Sequence, residues 1–255
     1  MVSDRIRLMG APHWIALFAA VVASWAVLAA MSVPAELRDA ARIFGAEFWE
    51  SFCTTTPDAA GYARLVTMWM LMSGAMMAPT ALPAFATYDD LSRQTEARFD
   101  QLIAGYLVIW LGFSIVVAAL QMGLFNAGLV SAFGDSRSVW LSGALLIIAG
   151  LYQFSALKEA CLSKCRQPLT FFMAHWEEGA WRNGLRLGAV CLGCCWALML
   201  LAFVGGMTSL GFMGIAMIAM TLEKMQAGAW LTRPLGIILI GAGIALPILE
   251  TAGGL

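Results

Sequence analysis

The chain has 255 residues, of which 61% are hydrophobic and 12% are charged, and its formal net charge is −1. A soluble domain is about half apolar and about a quarter charged, so this composition excludes an ordinary soluble enzyme. A near-neutral chain without a basic face gives no case for nucleic acid binding. In lipid the backbone hydrogen bonds must close within helices or a barrel. Long apolar runs without the alternation of barrel strands therefore predict an all-α, polytopic membrane protein in contact with the lipid bilayer.

Seven segments are apolar enough to cross a bilayer, which takes about 20 residues. They are residues 14–33, 62–87, 101–122, 139–157, 185–204, 207–222 and 235–249. We interpret the first as a retained helix rather than a cleaved signal peptide, because its apolar run is too long for one. Pro79 and Pro83 lie near the end of the second segment and predict that this helix bends or unwinds there. The chain is thus expected to be a single transmembrane domain spanning 1–255.

The distribution of Lys and Arg predicts the orientation. If the N-terminus is cytoplasmic, the inside residues are Arg5, Arg7, Arg93, Arg98, Lys158, Lys164, Arg166, Arg182, Arg186, Lys224 and Arg233. The outside residues are then only Arg38, Arg42, Arg64 and Arg137. The positive-inside rule favours this arrangement. It places an acidic segment, 34–61, on the outer side, with a short surface helix at 35–49, and a polar loop, 158–184, in the cytoplasm.

Ionisable residues are missing from the interior of the seven predicted segments. Such groups usually mark proton relays or ion paths, so the pattern argues against a proton-coupled transporter or a pump. The sequence also contains no phosphate-binding loop, Ser-His-Asp set or HExxH motif. These observations favour a protein that is not an enzyme.

Sulfur-containing side chains are the exception to this lack of chemically reactive groups. Five cysteines lie on the predicted cytoplasmic side, where thiols stay reduced: Cys161, Cys165, Cys191, Cys194 and Cys195. Residues three or four apart share a helix face, so Cys191, Cys195 and Met199 form one stripe of the fifth segment. Cys161 and Cys165 are again four apart, on a predicted helical extension of the fourth segment.

Methionines of the second segment complete a candidate site. At about 1.5 Å per residue, Met76 and Met77 reach the depth of Cys194 and Cys195. Thiolate and thioether ligands select soft metals, Cu(I) above all. The alternative is that Met and Cys are apolar filling of the core, with small residues allowing helices to approach closely.

The stretch Gly184 to Met199, which contains the sequence CLGCCW, resembles a bacterial family of predicted metal-binding integral membrane proteins. Phe203 to Met207, Leu222-Glu223-Lys224, Tyr152 to Arg166 and the Met-rich run Trp69 to Pro79 are similar to that family as well. The resemblance covers most of the chain from the second to the sixth segment. It implies a multi-pass protein of the inner (cytoplasmic) membrane of a bacterium, with metal binding but no assigned reaction. By position, it implies as metal ligands Cys161, Cys165, Cys191, Cys194 and Cys195, with Met76 and Met77 as weaker members.

Three functions follow as hypotheses. The first is a copper-handling membrane protein that binds Cu(I) for transfer, storage or delivery to a copper-dependent enzyme. The second is an accessory or structural subunit packed against other membrane subunits, with a copper enzyme among the candidate complexes. The third, a channel or permease for a small neutral solute, rests only on the proline-containing end of the second segment.

Overall fold

The computed structural model describes residues 12–32, 54–92, 98–225 and 230–253. In this part of the chain the fold is helical, and its only β-type pairing is an isolated bridge between Val130 and Ser136. The helices are α1 (Pro12–Met31), α2 (Ala59–Ser92), α3 (Phe99–Asn126), α4 (Val139–Tyr152), α5 (Ala156–Arg166), α6 (Pro168–His175), α7 (Gly179–Met199), α8 (Ala202–Gly205), α9 (Leu210–Met225) and α10 (Thr232–Gly253). The predicted surface helix at 35–49 and the sixth cysteine of the chain, Cys53, lie outside the described residues.

Helix lengths confirm an all-helical protein with several membrane-length segments. Five helical runs in the described part are long and apolar enough to cross a membrane: α1, α2, α3, the run Pro168–Gly205 and α10. A sixth is added if α4 and α5, which meet at a 62° bend, form one broken span. The predicted sixth span corresponds to α9, whose 16 residues extend about 24 Å. Seven spans therefore remain a prediction.

Large apolar side chains cover the outside of the bundle. Val22 on α1, Ile215 on α9 and Ile237 on α10 are each more than 60% exposed. Only 17% of the residues in the apolar stretch of α1, and likewise of α10, are buried, against 61% in α2. Exposed apolar surface of this extent is typical of a face that meets lipid or another protein.

The sequence predicts that α2 bends or unwinds at its prolines. The helix does not unwind there but continues from Ala59 to Ser92. A proline removes the hydrogen bond that its N–H would give to the carbonyl four residues earlier. For Pro79 that carbonyl belongs to Ala75, and it accepts a hydrogen bond from the indole N–H of Trp25 at 3.0 Å instead. Helix α1 thereby satisfies a group that the proline leaves open.

The polar segment 158–184 folds mostly into helices. It contains most of α5, all of α6, a 3₁₀ turn at Trp176–Glu178 and the start of α7. The fourth apolar helix ends at Tyr152, and α5 is a separate helix beyond the bend, not an extension of it. Lys158, taken from the sequence as the start of a loop, is 1% exposed. The cytoplasmic position of the segment stays a prediction.

Candidate metal centre

Close packing of α7 against α3 positions the first part of the site. A Cβ added at Gly184 would lie 2.2 Å from the carbonyl oxygen of Leu102, and one at Gly188 would lie 3.0 Å from that of Tyr106. Only glycine leaves room for backbones at this distance, which is the small-residue packing common between membrane helices. The approach brings the Tyr106 hydroxyl to 3.3 Å from Sγ of Cys191.

Four cysteine thiols form a contiguous group in the core. Cys191, Cys194 and Cys195 of α7 are each 1–2% exposed, and Sγ of Cys194 lies 3.3 Å from Sγ of Cys195. The Cys194 thiol also donates to the backbone carbonyl of Cys191 at 3.1 Å. Sγ of Cys165, from α5, lies 3.9 Å from Sγ of Cys194. We call Cys165, Cys191, Cys194 and Cys195 the sulfur cluster.

Helix α5 is held in the position that brings Cys165 to this cluster. Its first turn is capped by the Ser155 hydroxyl, which accepts the Lys158 backbone N–H at 3.1 Å. The Lys158 ammonium lies 2.8 Å from the Glu223 carboxylate of α9, and both side chains are 2% exposed. At the other end of α5, Arg166 donates to the backbone carbonyl of Glu223 at 3.0 Å. These contacts clamp α5 to the end of α9.

A buried lysine adjoins the sulfur cluster. Nζ of Lys224 lies 3.1 Å from Sγ of Cys191 and donates to the Thr80 hydroxyl at 2.6 Å. Thr80 in turn donates to the Met77 carbonyl at 2.9 Å, which also accepts from the Tyr106 hydroxyl at 3.1 Å. Hydrogen bonds from α2, α3 and α9 thus converge on one side of Cys191.

Sequence reasoning missed Lys224, Thr80 and Tyr106. It found no ionisable residue inside a predicted span, because Lys224 follows the predicted end of the sixth segment, Leu222. The structure nevertheless buries Lys224 to 7% exposure and directs it into the bundle. The available signal was the dipeptide Glu223-Lys224 directly after an apolar helix, where one charge could turn inward.

Cys161 has no contact with a thiol of the sulfur cluster among the described contacts, although it is one helical turn from Cys165. A Cβ added at Gly193 would meet Sγ of Cys161 at 2.6 Å, so this sulfur packs on the glycine face of α7. Cys161 also lines a mostly apolar cavity of about 660 Å³ with Tyr152 and Trp196. The Tyr152 hydroxyl donates to the Gly193 carbonyl.

The three candidate methionines are buried: Met76 is 3%, Met77 0% and Met199 2% exposed. Of these three, Met77 takes part in the hydrogen bonds around Cys191, and it does so through its backbone carbonyl. The described contacts thus give no support to thioether ligation. Their role as ligands stays a prediction, and core packing is the alternative.

A cavity of about 310 Å³ adjoins the sulfur cluster. Cys165, Cys191 and Lys224 line it, together with Arg166 and the Pro83 side of α2. Neither Met76, Met77 nor Met199 is among the described residues that line it. One cavity therefore gives access to thiols from two helices, Cys165 and Cys191, and has the positively charged Lys224 and Arg166 in its lining.

The donor set fits a soft ion bound by few ligands. No group of three or more His, Cys, Asp or Glu among the described residues is arranged to hold a metal ion as it stands. A closed tetrahedral site of the zinc type is thus not preformed there. At a metal–sulfur distance of about 2.3 Å, however, two sulfurs 3.9 Å apart can bind one ion between them. Thiolate ligands favour Cu(I), which accepts two ligands.

Fold and site together define a helical protein with membrane-length segments and a buried thiol cluster suited to a soft metal. The chain belongs to the PpoB2 family of copper chaperones, whose family model matches residues 66–246. The match includes the sulfur cluster, Thr80, Tyr106 and Lys224 and begins after α1. A search of curated proteins and a search of solved structures gave no match.

Proposed function

We propose that this protein binds Cu(I) at the sulfur cluster and passes it to a copper-dependent partner. The observation that carries the proposal is the 3.9 Å contact between Sγ of Cys165 on α5 and Sγ of Cys194 on α7. Thiols on two separate helices can change their spacing by a small helix movement, which suits an ion that is taken up and released. Copper is then cargo rather than a permanent cofactor.

The copper-related family supports this choice of metal, and so does the chemistry of the donors. Soft sulfur ligands select Cu(I) over hard cations. The cysteines described are all free thiols, as cargo binding requires. The cavity beside Cys165 and Cys191 offers a route by which the ion or its donor reaches the thiols.

The proposal includes a seven-span protein of the inner membrane of a bacterium, with a cytoplasmic N-terminus. Contacts at both ends of α9 support its inclusion as a span. Near its start Phe212 packs on Gly205, and at its end Lys224 reaches Thr80 of α2. Helix α9 thus runs from one end of the bundle towards the level of the sulfur cluster and the α5 contacts. The positive-inside rule assigns the Lys158–Glu223 end to the cytoplasm.

Metal analysis tests the function directly. Protein expressed with copper supplied and purified under reducing conditions is expected to carry near-stoichiometric copper. The double variant Cys191→Ser, Cys194→Ser is expected to lose it while the helical circular dichroism spectrum is retained. Equal copper content in the wild type and the variant, or metal-free wild type, would contradict copper binding at this cluster.

An accessory role in a larger membrane complex is the second candidate. It is favoured by the exposed apolar faces of α1 and α10, which a neighbouring subunit could cover in place of lipid. Purification in mild detergent separates the two functions. Other subunits at fixed stoichiometry would favour the accessory role, and a copper-bearing chain on its own would count against it.

A further inference from the structure

Lys224 places a positive charge inside the bundle without a carboxylate partner among its described contacts. Its hydrogen bonds there go to the neutral hydroxyl of Thr80 and to Sγ of Cys191. The adjacent carboxylate, that of Glu223, pairs instead with Lys158. The two neighbouring charged residues of α9 therefore contact different partners: Glu223 pairs with Lys158 of α5, and Lys224 contacts Cys191 of the sulfur cluster.

Burying an ammonium without an anion is costly, because water no longer solvates the charge. The Thr80 hydroxyl satisfies one N–H group but supplies no negative charge. The thiols of the sulfur cluster are the nearby groups that can, since each becomes anionic when it ligates a metal. The charge of the bound metal complex then decides how well Lys224 is compensated.

We propose that Lys224 is the counter-charge of the copper complex and makes the sulfur cluster selective for soft monovalent cations. This inference rests on the copper-binding function proposed above. A Cu(I) ion bound by two thiolates of the sulfur cluster carries one net negative charge. The Lys224 ammonium lies beside this cluster, 3.1 Å from Sγ of Cys191, and compensates that charge. A divalent ion with the same two thiolates is neutral and leaves the lysine charge uncompensated. Ag(I), which is also monovalent and soft, fits as Cu(I) does, whereas Zn(II) does not.

The wild-type protein provides the first test. Reduced protein in detergent micelles is titrated anaerobically with Cu(I), Ag(I) and Zn(II), each in competition with a chromophoric chelator of known affinity. Cu(I) and Ag(I) are expected to bind at the same site and displace each other, with Zn(II) binding far more weakly. Zn(II) binding as tight as that of Cu(I), and abolished by Cys191→Ser, would overturn the charge argument.

Variants of Lys224 provide the second test. Lys224→Met keeps the length of the side chain but removes its charge, and it is expected to weaken Cu(I) and Ag(I) binding about ten- to a hundredfold without weakening Zn(II) binding. Lys224→Arg is expected to keep most of the wild-type selectivity, because it restores the charge. Lys224→Gln is a second neutral variant, for use if the methionine variant does not fold.

A control removes a positive charge that lies away from the sulfur cluster. Arg98→Met removes the cation of the exposed Arg98–Asp100 pair, whose side chains are 65% and 66% exposed, and it should leave the ratio of Cu(I) to Zn(II) affinity unchanged. A merely structural role of Lys224 would lower all metal affinities together and would be rescued no better by arginine than by glutamine. If the wild type binds Cu(I) and Lys224→Met binds it equally well, the inference fails and the function stands. If the wild type binds no Cu(I), both fail.

Discussion

Lys158 of α5 and Glu223 of α9 form a buried ion pair, with Nζ 2.8 Å from Oε2 and both side chains 2% exposed. The two residues are 65 positions apart in the chain, and their contact holds α5 against the end of α9. Cys165 lies on α5, so this contact helps to place Cys165 beside Cys194. The pair is thus part of the architecture of the sulfur cluster, although it touches none of the four thiols in the described contacts.

Breaking this pair on one side should strongly destabilise the protein. Removal of one partner leaves a buried charge uncompensated, which costs about 3–5 kcal/mol. We expect Lys158→Met or Glu223→Gln to lower the thermal unfolding temperature in detergent, and the double variant to recover most of the loss. The exposed pair Arg98–Asp100, with side chains 65% and 66% exposed, is the control, and Asp100→Asn should change little. A double variant as unstable as the singles would argue against this account.

The glycine contact between α3 and α7 should tolerate no side chain. Gly184→Ala places a Cβ 2.2 Å from the Leu102 carbonyl oxygen, so the helices must separate and Tyr106 must move away from Cys191. We expect a marked loss of stability together with weaker copper binding. Gly112→Ala on the same α3 helix meets no atom within 4 Å and should be neutral or slightly stabilising, since alanine favours helix. Unfolding curves of the two variants, compared with bound copper, check this.

Cys161 and Cys165 should differ in their effect on copper, although both are half-buried thiols of α5. Only Cys165 contacts the sulfur cluster in the described structure, through Cys194 at 3.9 Å, whereas Cys161 packs on Gly193. We expect Cys165→Ser to weaken Cu(I) binding by about tenfold or more, and Cys161→Ser to leave it near the wild-type value. Chelator competition measures both. Equal losses in the two variants would place Cys161 in the site as well.

The start of α2 should depend on pH through Asp58. Its carboxylate accepts the Thr56 hydroxyl and the Gly61 backbone N–H, and these two hydrogen bonds lower its pKa from the ordinary value of 3.8. A lowered folded-state pKa means that the stabilisation is fully present above 3.8 and is lost as the pH falls through the lower value. Hydrogen exchange of the first-turn amides should therefore quicken at acidic pH after correction for intrinsic rates. Asp58→Asn keeps a capping oxygen and should remove that pH dependence.

Sequence alone determined the features that depend on local periodicity and composition. The apolar runs gave an all-helical protein with membrane-length segments, because the length of an apolar run is a property of consecutive residues. The spacing of Cys191, Cys194 and Cys195 placed these thiols on adjoining parts of one helix, and the structure buries all three. The resemblance to a family of predicted metal-binding membrane proteins also rested on residues that lie close together in the chain, and the family that the chain matches is copper-related.

Tertiary structure alone decided which groups meet that sulfur stripe. Equal four-residue spacing could not distinguish Cys161 from Cys165, since a four-residue step also advances about 6 Å along the helix and so changes the neighbour on α7. Nor could it show that Lys224 turns inward towards Cys191. The different neighbours of Cys161 and Cys165 and the inward direction of Lys224 depend on the 62° bend before α5 and on the glycine contacts of α7. These fix the distances and angles between helices far apart in sequence, which no local pattern encodes.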